Sequence, residues 1–334
     1  MKFGETFKEY LHGEQEQFLH NCSHVEYKHL KKVLKNCRAC RAVEDSDGGG
    51  TRHEEHDELS DVCHCISCPA CDQKFFSELT REASEIAGCF SSRVRRLLHL
   101  HASSPLQRCM WRVRYCFMDD QQILIREGRM LLDYVTMNAI AIRKILKKYD
   151  KVHGSVNGRN FKTKMRAEKI ELLQSPWLIE LGAFYLNFRG SEFGEPGEFF
   201  REFTCDLSGT QPVMTMTLSD SVKYEYSLTC AVCLDTVFNP YALSCGHLFC
   251  KSCACSSASV LIFQGLKTAP HGAKCPVCRN VDVYRDSVHM TELDLLLKNR
   301  GKEYWKERLR GERAQMVKES KAYWESQRIS AMSY

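Results

Sequence analysis

Long apolar runs are missing from this sequence. Nothing in its 334 residues approaches the roughly 18 consecutive apolar side chains that a membrane-spanning helix needs. The most apolar piece, MLLDYVTMNAIAI (130–142), is interrupted by Asp133 and Asn138 and is expected to be a buried bundle helix. No secretory leader is expected either, because MKFGETFKEY begins polar and periodic. Charge of one sign is in only slight excess: a net charge of +5 does not suit a dedicated nucleic-acid binder, and no nucleic acid is expected as a partner. The expected location is therefore intracellular, the cytoplasm first and the nucleus as the alternative.

What remains is room for about two domains, with 43% apolar composition, enough for packed cores. Cysteine is abundant, 19 in all. In a reducing compartment a disulfide scaffold is not expected, so dense cysteine points first to metal. Eight cysteines fall between Cys230 and Cys278, and a second group lies between Cys37 and Cys71.

Helical periodicity covers segments near 3–20, 25–37, 73–101, 121–150 and 161–173. The glycine-rich, acidic stretch EDSDGGGTRHEEHDELS (44–60) reads as a mobile loop. In SPWLIELGAFYLNF, Ser175 is a capping residue and Pro176 takes the first helical position, so another helix is expected. FREFTCDL and VMTMTLSDSVKYEYSL, around SGTQP, read as a small hairpin. From His289 onward one charged helix is expected, with apolar residues too sparse for a confident coiled coil; homodimerisation through it stays open.

Two segments repeat one device. Lys28, Lys31, Lys32 and Lys35 recur at i, i+3, i+4 and i+7, as do Lys144, Lys147, Lys148 and Lys151. On a helix each set forms one cationic stripe. Leu30, Val33 and Leu34, and Ile142, Ile145, Leu146 and Tyr149, fall on the opposite faces. Like charges so spaced repel by a few tenths of a kcal/mol per pair, a cost that an anion would offset. If the apolar faces pack in one bundle, the two stripes can form a patch suited to a compact, highly charged anion, with the Tyr27 hydroxyl nearby. A lone lysine run is more often a solvated helix face.

The strongest signal is CAVCLDTVFNPYALSCGHLFCKSCACSSASVLIFQGLKTAPHGAKCPVCR, which holds CxxC at Cys230 and Cys233, CGH at Cys245 to His247, CxxC at Cys250 and Cys253, and CPVC at Cys275 and Cys278. CxxC places two thiolates on one turn within reach of a tetrahedral zinc. Four ligand pairs make two sites with every position filled by protein, so two Zn2+ ions are expected as structural cofactors. Three cysteines, a histidine and four cysteines in this order resemble the RING finger of ubiquitin ligases. A PHD finger, with its histidine one ligand later, and a DNA-binding finger ending in two histidines fit worse. The resemblance implies Cys230, Cys233, Cys250 and Cys253 on one zinc, and Cys245, His247, Cys275 and Cys278 on the other; Cys255 is left over. It also implies an apolar groove for a ubiquitin-conjugating enzyme at Val232 and Pro276, completed by Leu261 or Ile262, and a linchpin at Arg279. The plain alternatives are packing for Val232 and a surface charge for Arg279.

MKFGETFKEY, YKHLKK and AIRKILKKYDK, in that order, resemble an SPX domain, a helical bundle that binds inositol polyphosphates and pyrophosphates. The resemblance implies a phosphate-binding cluster of Tyr27, Lys31 and Lys148. Lys144, Lys147 and Lys151 would adjoin it, with Lys2 and Lys28 nearby. CRAC (37–40) and CHCISCPAC (63–71) lie outside that pattern. They hold enough thiolates for another zinc, with Cys68 and Cys71 as the best pair and Cys40, Cys63, His64 or Cys65 completing it, or else they are reduced thiols beside a loop.

Taken together, the chain is similar to plant SPX-RING ubiquitin ligases, a resemblance that includes LLQSPWL and CLDTVFNPYALSCGH. The expected fold is mainly α: an SPX bundle over 1–172, a connecting helix and hairpin over 173–226, a zinc-stabilised α+β RING finger over 227–282 and a helical tail over 289–330. The resemblance implies an E3 ligase that works with a conjugating enzyme and ubiquitin, carries no covalent ubiquitin intermediate, and directs plasma-membrane phosphate transporters to degradation in phosphate and nitrogen homeostasis. Recruitment to that membrane would come through the substrate. The alternative is a non-enzymatic SPX-RING adaptor.

Overall fold

The structure is a computed structural model that describes residues 3–12, 22–35, 69–98, 118–153, 156–167, 172–188, 200–209, 211–218 and 223–332. Lys2, the acidic loop 44–60, and Cys37, Cys40, Cys63, His64, Cys65 and Cys68 of the second cysteine group lie outside the described residues. The chain divides into two compact units, 1–92 with 130–173, and 93–129 with 174–334. No described helix is long and apolar enough to cross a membrane.

The first unit is helical. Helix α1 is Phe3–Leu11, α2 is Tyr27–Lys35, α3 is Pro69–Leu97, α4 is Met118–His153 and α5 is Asn157–Ala167; α3 and α4 contribute to both units. On α3, Phe75, Leu79, Ala83, Ile86 and Phe90 recur at helical spacing and are buried. They belong to a core with Leu30 and Leu34 of α2 and Leu131, Val135, Ile142, Ile145 and Tyr149 of α4. Asp133 and Asn138, the interruptions in the apolar run, are buried too. Asn138 Oδ1 accepts the amide of Val25 at 2.9 Å, so the polar residue fastens the segment ahead of α2. Helix α5 starts four residues before the expected segment at 161. The carboxylate of Asp150, at the end of α4, accepts the amides of Gly158 at 2.7 Å and Arg159 at 3.1 Å and caps it.

In the second unit, α6 (Pro176–Phe188) opens with Ser175 as expected: Oγ of Ser175 accepts the amide of Trp177 at 3.4 Å. The expected hairpin is a three-stranded antiparallel sheet, β1 (Phe200–Asp206), β2 (Val213–Leu218) and β3 (Lys223–Ser227), in that order. The second strand-like run holds both β2 and β3. Met214, Met216 and Leu218 alternate inward along β2. A Cβ on Gly182 of α6 would lie 2.8 Å from the Phe203 ring and 3.0 Å from Sδ of Met214, so glycine permits the close approach of helix to sheet.

A second small sheet has the order β5-β4-β6, with β4 Pro240–Ala242, β5 Leu248–Cys250 and β6 Val288–His289. Helix α7 is Lys251–Ser257. The tail is two helices where one was expected, α8 (Thr291–Arg300) and α9 (Lys302–Met332), broken at Gly301. Helix α8 buries Leu293, Leu296 and Leu297, whereas α9 buries no described residue.

The N-terminus of α8 is capped from a distance. Its Ncap residue, Met290, has no side chain able to accept. Glu180 of α6 substitutes: Oε1 accepts the amide of Glu292 at 2.8 Å and the hydroxyl of Thr291 at 3.4 Å, and Oε2 accepts the amide of Leu293 at 3.1 Å. Asn187 adds a bond to the carbonyl of Glu292 and another to its carboxylate, both 2.9 Å.

Candidate metal centre and lysine face

Two loops of the zinc module share one geometry. In 229–236 the amide of Cys230 donates to the carbonyl of Asp235 at 2.8 Å, and the amide of Leu234 donates to the carbonyl of Cys230 at 2.8 Å. In 274–281 the amide of Cys275 donates to the carbonyl of Asn280 at 2.9 Å, and that of Arg279 to the carbonyl of Cys275 at 3.0 Å. Isolated bridges close both loops, Thr229 with Thr236 and Lys274 with Val281. The residue after the second cysteine is left-handed in each, with φ 62° at both Leu234 and Arg279. Such a turn points two thiolates into one volume, and its backbone costs about 1 kcal/mol or more at a residue other than glycine.

Between these loops runs the β4–β5 hairpin. Its turn places Cys245 and His247 either side of Gly246, whose φ of 83° favours glycine. Cys250 ends β5, and Cys253 follows one turn into α7. The donors gather as Cys230, Cys233, Cys250 and Cys253 in one group and Cys245, His247, Cys275 and Cys278 in the other, each within 4.8 Å. The segments interleave, so each group ties together chain on both sides of a pair belonging to the other.

The spacing can be tested against zinc. Tetrahedral bonds of about 2.3 Å to sulfur and 2.0 Å to nitrogen imply S···S edges of about 3.8 Å and S···N edges of about 3.5 Å. Cys233 and Cys250 are 3.8 Å apart, and Nδ1 of His247 is 3.6 Å from Sγ of both Cys245 and Cys275. The donors therefore fit two Zn2+ ions, with His247 presenting Nδ1. The amide of Phe238 donates to Sγ of Cys250 at 3.2 Å, an outer bond of the kind that holds a thiolate in place. The Cys230 thiol is pulled well below its ordinary value by hydrogen bonds from Cys250 and Cys253. Cys255 belongs to neither group; it is buried, which pushes its thiol up to about 11.

The tail contributes a cation that sequence reasoning missed. Nη2 of Arg308, on α9, lies 3.7 Å from Sγ of Cys233 and 3.6 Å from Sγ of Cys250, while Nη1 pairs with Asp235 at 3.1 Å. Burial opposes its charge, but Tyr304, Cys250 and Cys233 more than offset that and hold it above its ordinary value. A divalent ion with four thiolates carries two net negative charges, against one for three thiolates and a neutral histidine, so the all-cysteine site gains more from a cation. Tyr304 donates to the carbonyl of Thr236 at 2.5 Å, and Glu312 and Glu319 accept from Asn239 and the amide of Ile262. Arg308→Leu is expected to weaken zinc at this site by roughly 10- to 100-fold in competition with a chelator. Unchanged competition would reduce Arg308 to a surface ion pair.

Of the groove residues, Val232 is 42% exposed, Pro276 and Leu261 are half-buried, and Arg279 is exposed. Ile262 is only 2% exposed, with its amide bound to Glu319, so it underlies that surface and is not open on it. The paired loops also bring out Leu234, 76% exposed, and Val277. Val277 stands two residues after Cys275 as Val232 stands two after Cys230, a correspondence visible in the spacing of the CxxC motifs.

In the first unit, Ile142, Ile145, Leu146 and Tyr149 are buried, Lys144, Lys147 and Lys151 are exposed, and Lys148 is half-buried. On α2, Lys28 and Lys32 are exposed and Lys31 half-buried; Val33 is also half-buried. Phe3 links the two helices. Its ring meets the Tyr27 ring edge-on at 5.4 Å and carries the Lys144 ammonium at 3.9 Å. Burial pushes the Tyr27 phenol above its ordinary value.

The two interleaved donor groups define a zinc finger of the RING type, and residues 230–276 match the RING-type zinc-finger family. Over the whole length, the chain is 63% identical to a probable E3 ubiquitin-protein ligase BAH1-like 1 of Oryza sativa subsp. indica, across 99% of both chains. It is 60% identical to a probable E3 ubiquitin-protein ligase BAH1-like of Arabidopsis thaliana, across 100% of both, and 41% identical to the E3 ubiquitin-protein ligase NLA of Arabidopsis thaliana, across 98% of both. The chain belongs to this family of RING-type E3 ubiquitin-protein ligases.

Proposed function

We propose that the chain transfers ubiquitin by positioning a ubiquitin-loaded conjugating enzyme, and that its amino-terminal unit is an SPX domain reading inositol polyphosphates or pyrophosphates. The pair of matching loops carries the first part. They hold Val232, Pro276 and Arg279 at accessible turns of a rigid frame, while protein donors fill all four positions of both metal groups. No coordination position is then left for a reacting water, and the bound Zn2+ ions serve to hold the frame. Val232, Leu261 and Pro276 seat the conjugating enzyme. Arg279 donates to that enzyme and to its thioester-linked ubiquitin, so that an incoming substrate lysine meets an exposed thioester. The acceleration comes from orientation and preorganised charge.

Arg279→Ala leaves the turn as it is, because alanine at φ 62° carries about the same backbone cost as arginine. Its ubiquitin discharge onto free lysine is expected to fall by roughly 10- to 100-fold, the worth of one charged hydrogen bond or more, at unchanged zinc content and thermal midpoint. Wild-type discharge by the variant would favour the adaptor reading.

The lysine face carries the second part. Tyr27 and Lys144 meet on the Phe3 ring, which draws the two cationic helices to one surface. Lys28, Lys31, Lys147, Lys148 and Lys151 stand on the same helices, with Lys2 at the start of the chain. Titration of inositol hexakisphosphate into the protein should show an affinity loss on the order of tenfold for Lys148→Ala. Equal affinity would remove the anion-sensing role from that lysine. Phosphate transporters of the plasma membrane are the proposed substrates, with the cytoplasm as the working compartment and recruitment to the membrane through them. The anion-suited lysine face supports this reading.

A further inference from the structure

Cys22 and Cys89 are separated by 67 residues in the chain, yet their Sγ atoms are 2.6 Å apart. That is roughly 0.6 Å beyond a covalent S–S bond. Neither belongs to the zinc donor groups.

Both sides of the contact are fixed by their backbones. The segment 22–26 is fastened to α4, where the Tyr134 hydroxyl donates to the carbonyl of Ser23 at 2.5 Å and Asn138 accepts the amide of Val25. It is fastened to α3 as well, through the amide of Glu26 on Oε2 of Glu82 at 3.2 Å. Cys89 sits within α3 beside the buried Phe90. Forming the bond requires the sulfurs to close by only about 0.6 Å. Both cysteines are half-buried, which leaves them open to a small oxidant.

We propose that Cys22 and Cys89 form a reversible oxidation site, in which a small peroxide joins them as a disulfide that staples the segment leading into α2 onto α3. One sulfur, as thiolate, attacks a peroxide oxygen; the O–O bond breaks, and the departing hydroxide leaves as water with the thiol's proton. The other sulfur attacks the resulting sulfenic acid, the S–O bond breaks, and a second water leaves. Two thiols lose two electrons and two protons in all, and hydrogen peroxide becomes two waters. A dithiol reductant reverses the step. The linkage begins five residues ahead of Tyr27, so it restrains the start of the helix that bears Lys28 and Lys31. It does so whatever that helix binds.

The test treats full-length, zinc-loaded protein with hydrogen peroxide at a level that leaves zinc content unchanged, followed by alkylation and peptide mapping. The expected product is one cross-linked peptide pair containing Cys22 and Cys89, two hydrogens lighter than the dithiol. It should be reversed by dithiothreitol and absent from Cys22→Ser and Cys89→Ser. Amide exchange over 23–35 should slow in oxidised wild type and not in the treated variants. Both cysteines alkylating after a treatment that oxidises glutathione in the same tube would overturn the site. A cross-link with unchanged exchange over 23–35 would overturn the staple.

Discussion

Cys230→Ala is expected to unfold the whole zinc module, and not merely one site. Structural zinc contributes on the order of 10–16 kcal/mol in small modules, as much as the entire stability of a typical domain. Cys230 is fully buried, and its site draws on two chain segments, 230–233 and 250–253. Cys245 and His247, which begin the other site, lie between those segments. Loss of the first site therefore releases the hairpin that presents them. Zinc measured by elemental analysis should fall from two equivalents toward none, and ubiquitin discharge should go with it. Cys255→Ala is the matched control, since Cys255 is equally buried but outside both donor groups; it should keep two equivalents. Retention of one zinc and a folded module by Cys230→Ala would show that the sites fold independently.

Stability should fall as pH rises from about 5 to about 8, and Glu180→Gln should flatten that slope. Burial, reinforced by the Glu292 carboxylate, raises Glu180 to about 8, against the pull of the amides of Glu292 and Leu293 and the Thr291 hydroxyl. An unfolded glutamate titrates near 4.3, so between these values the folded chain holds a proton that the unfolded chain has released. The raised value means that the contribution is full below the unfolded value and is lost as pH climbs through the folded one. A shift of this size corresponds to roughly 5 kcal/mol across the whole window, an order-of-magnitude figure. Denaturant midpoints at pH 5, 6.5 and 8 measure it. Glutamine keeps the shape and one acceptor oxygen, so it should lie below wild type at pH 5 through the weakened cap yet change little with pH. Parallel slopes for the two proteins would show that Glu180 is not the titrating group.

Much of the site was legible in the linear sequence because its determinants are local. The two-thiolate pairs follow from CxxC spacing, which pairs share a zinc was implied by the RING resemblance, and the buried faces of α2 and α4 follow from helical period. In both lysine helices the residues expected inside are buried or, at Val33, half-buried, and Lys28, Lys31, Lys32, Lys144, Lys147, Lys148 and Lys151 of the stripes face outward or half outward. Departures came where a partner outside an element completes it. Helix α5 starts early with Asp150 capping it, and Ile262 is buried with its amide bound to Glu319 of the tail. The tail was read as one charged helix, and its Arg308 faces two zinc-finger sulfurs.

The sequence by itself determined the helical character of the first unit, the eight metal donors and the two cationic stripes, since each depends on residue type at a short, fixed spacing. Only the tertiary structure decided what those elements touch: Glu180 capping α8, Arg308 over the all-cysteine group, Phe3 between Tyr27 and Lys144, and Cys22 against Cys89. Periodicity says which side of an element is apolar, but a charged or thiol side chain meets its counterpart only after packing brings together positions as far apart as 67 and 112 residues.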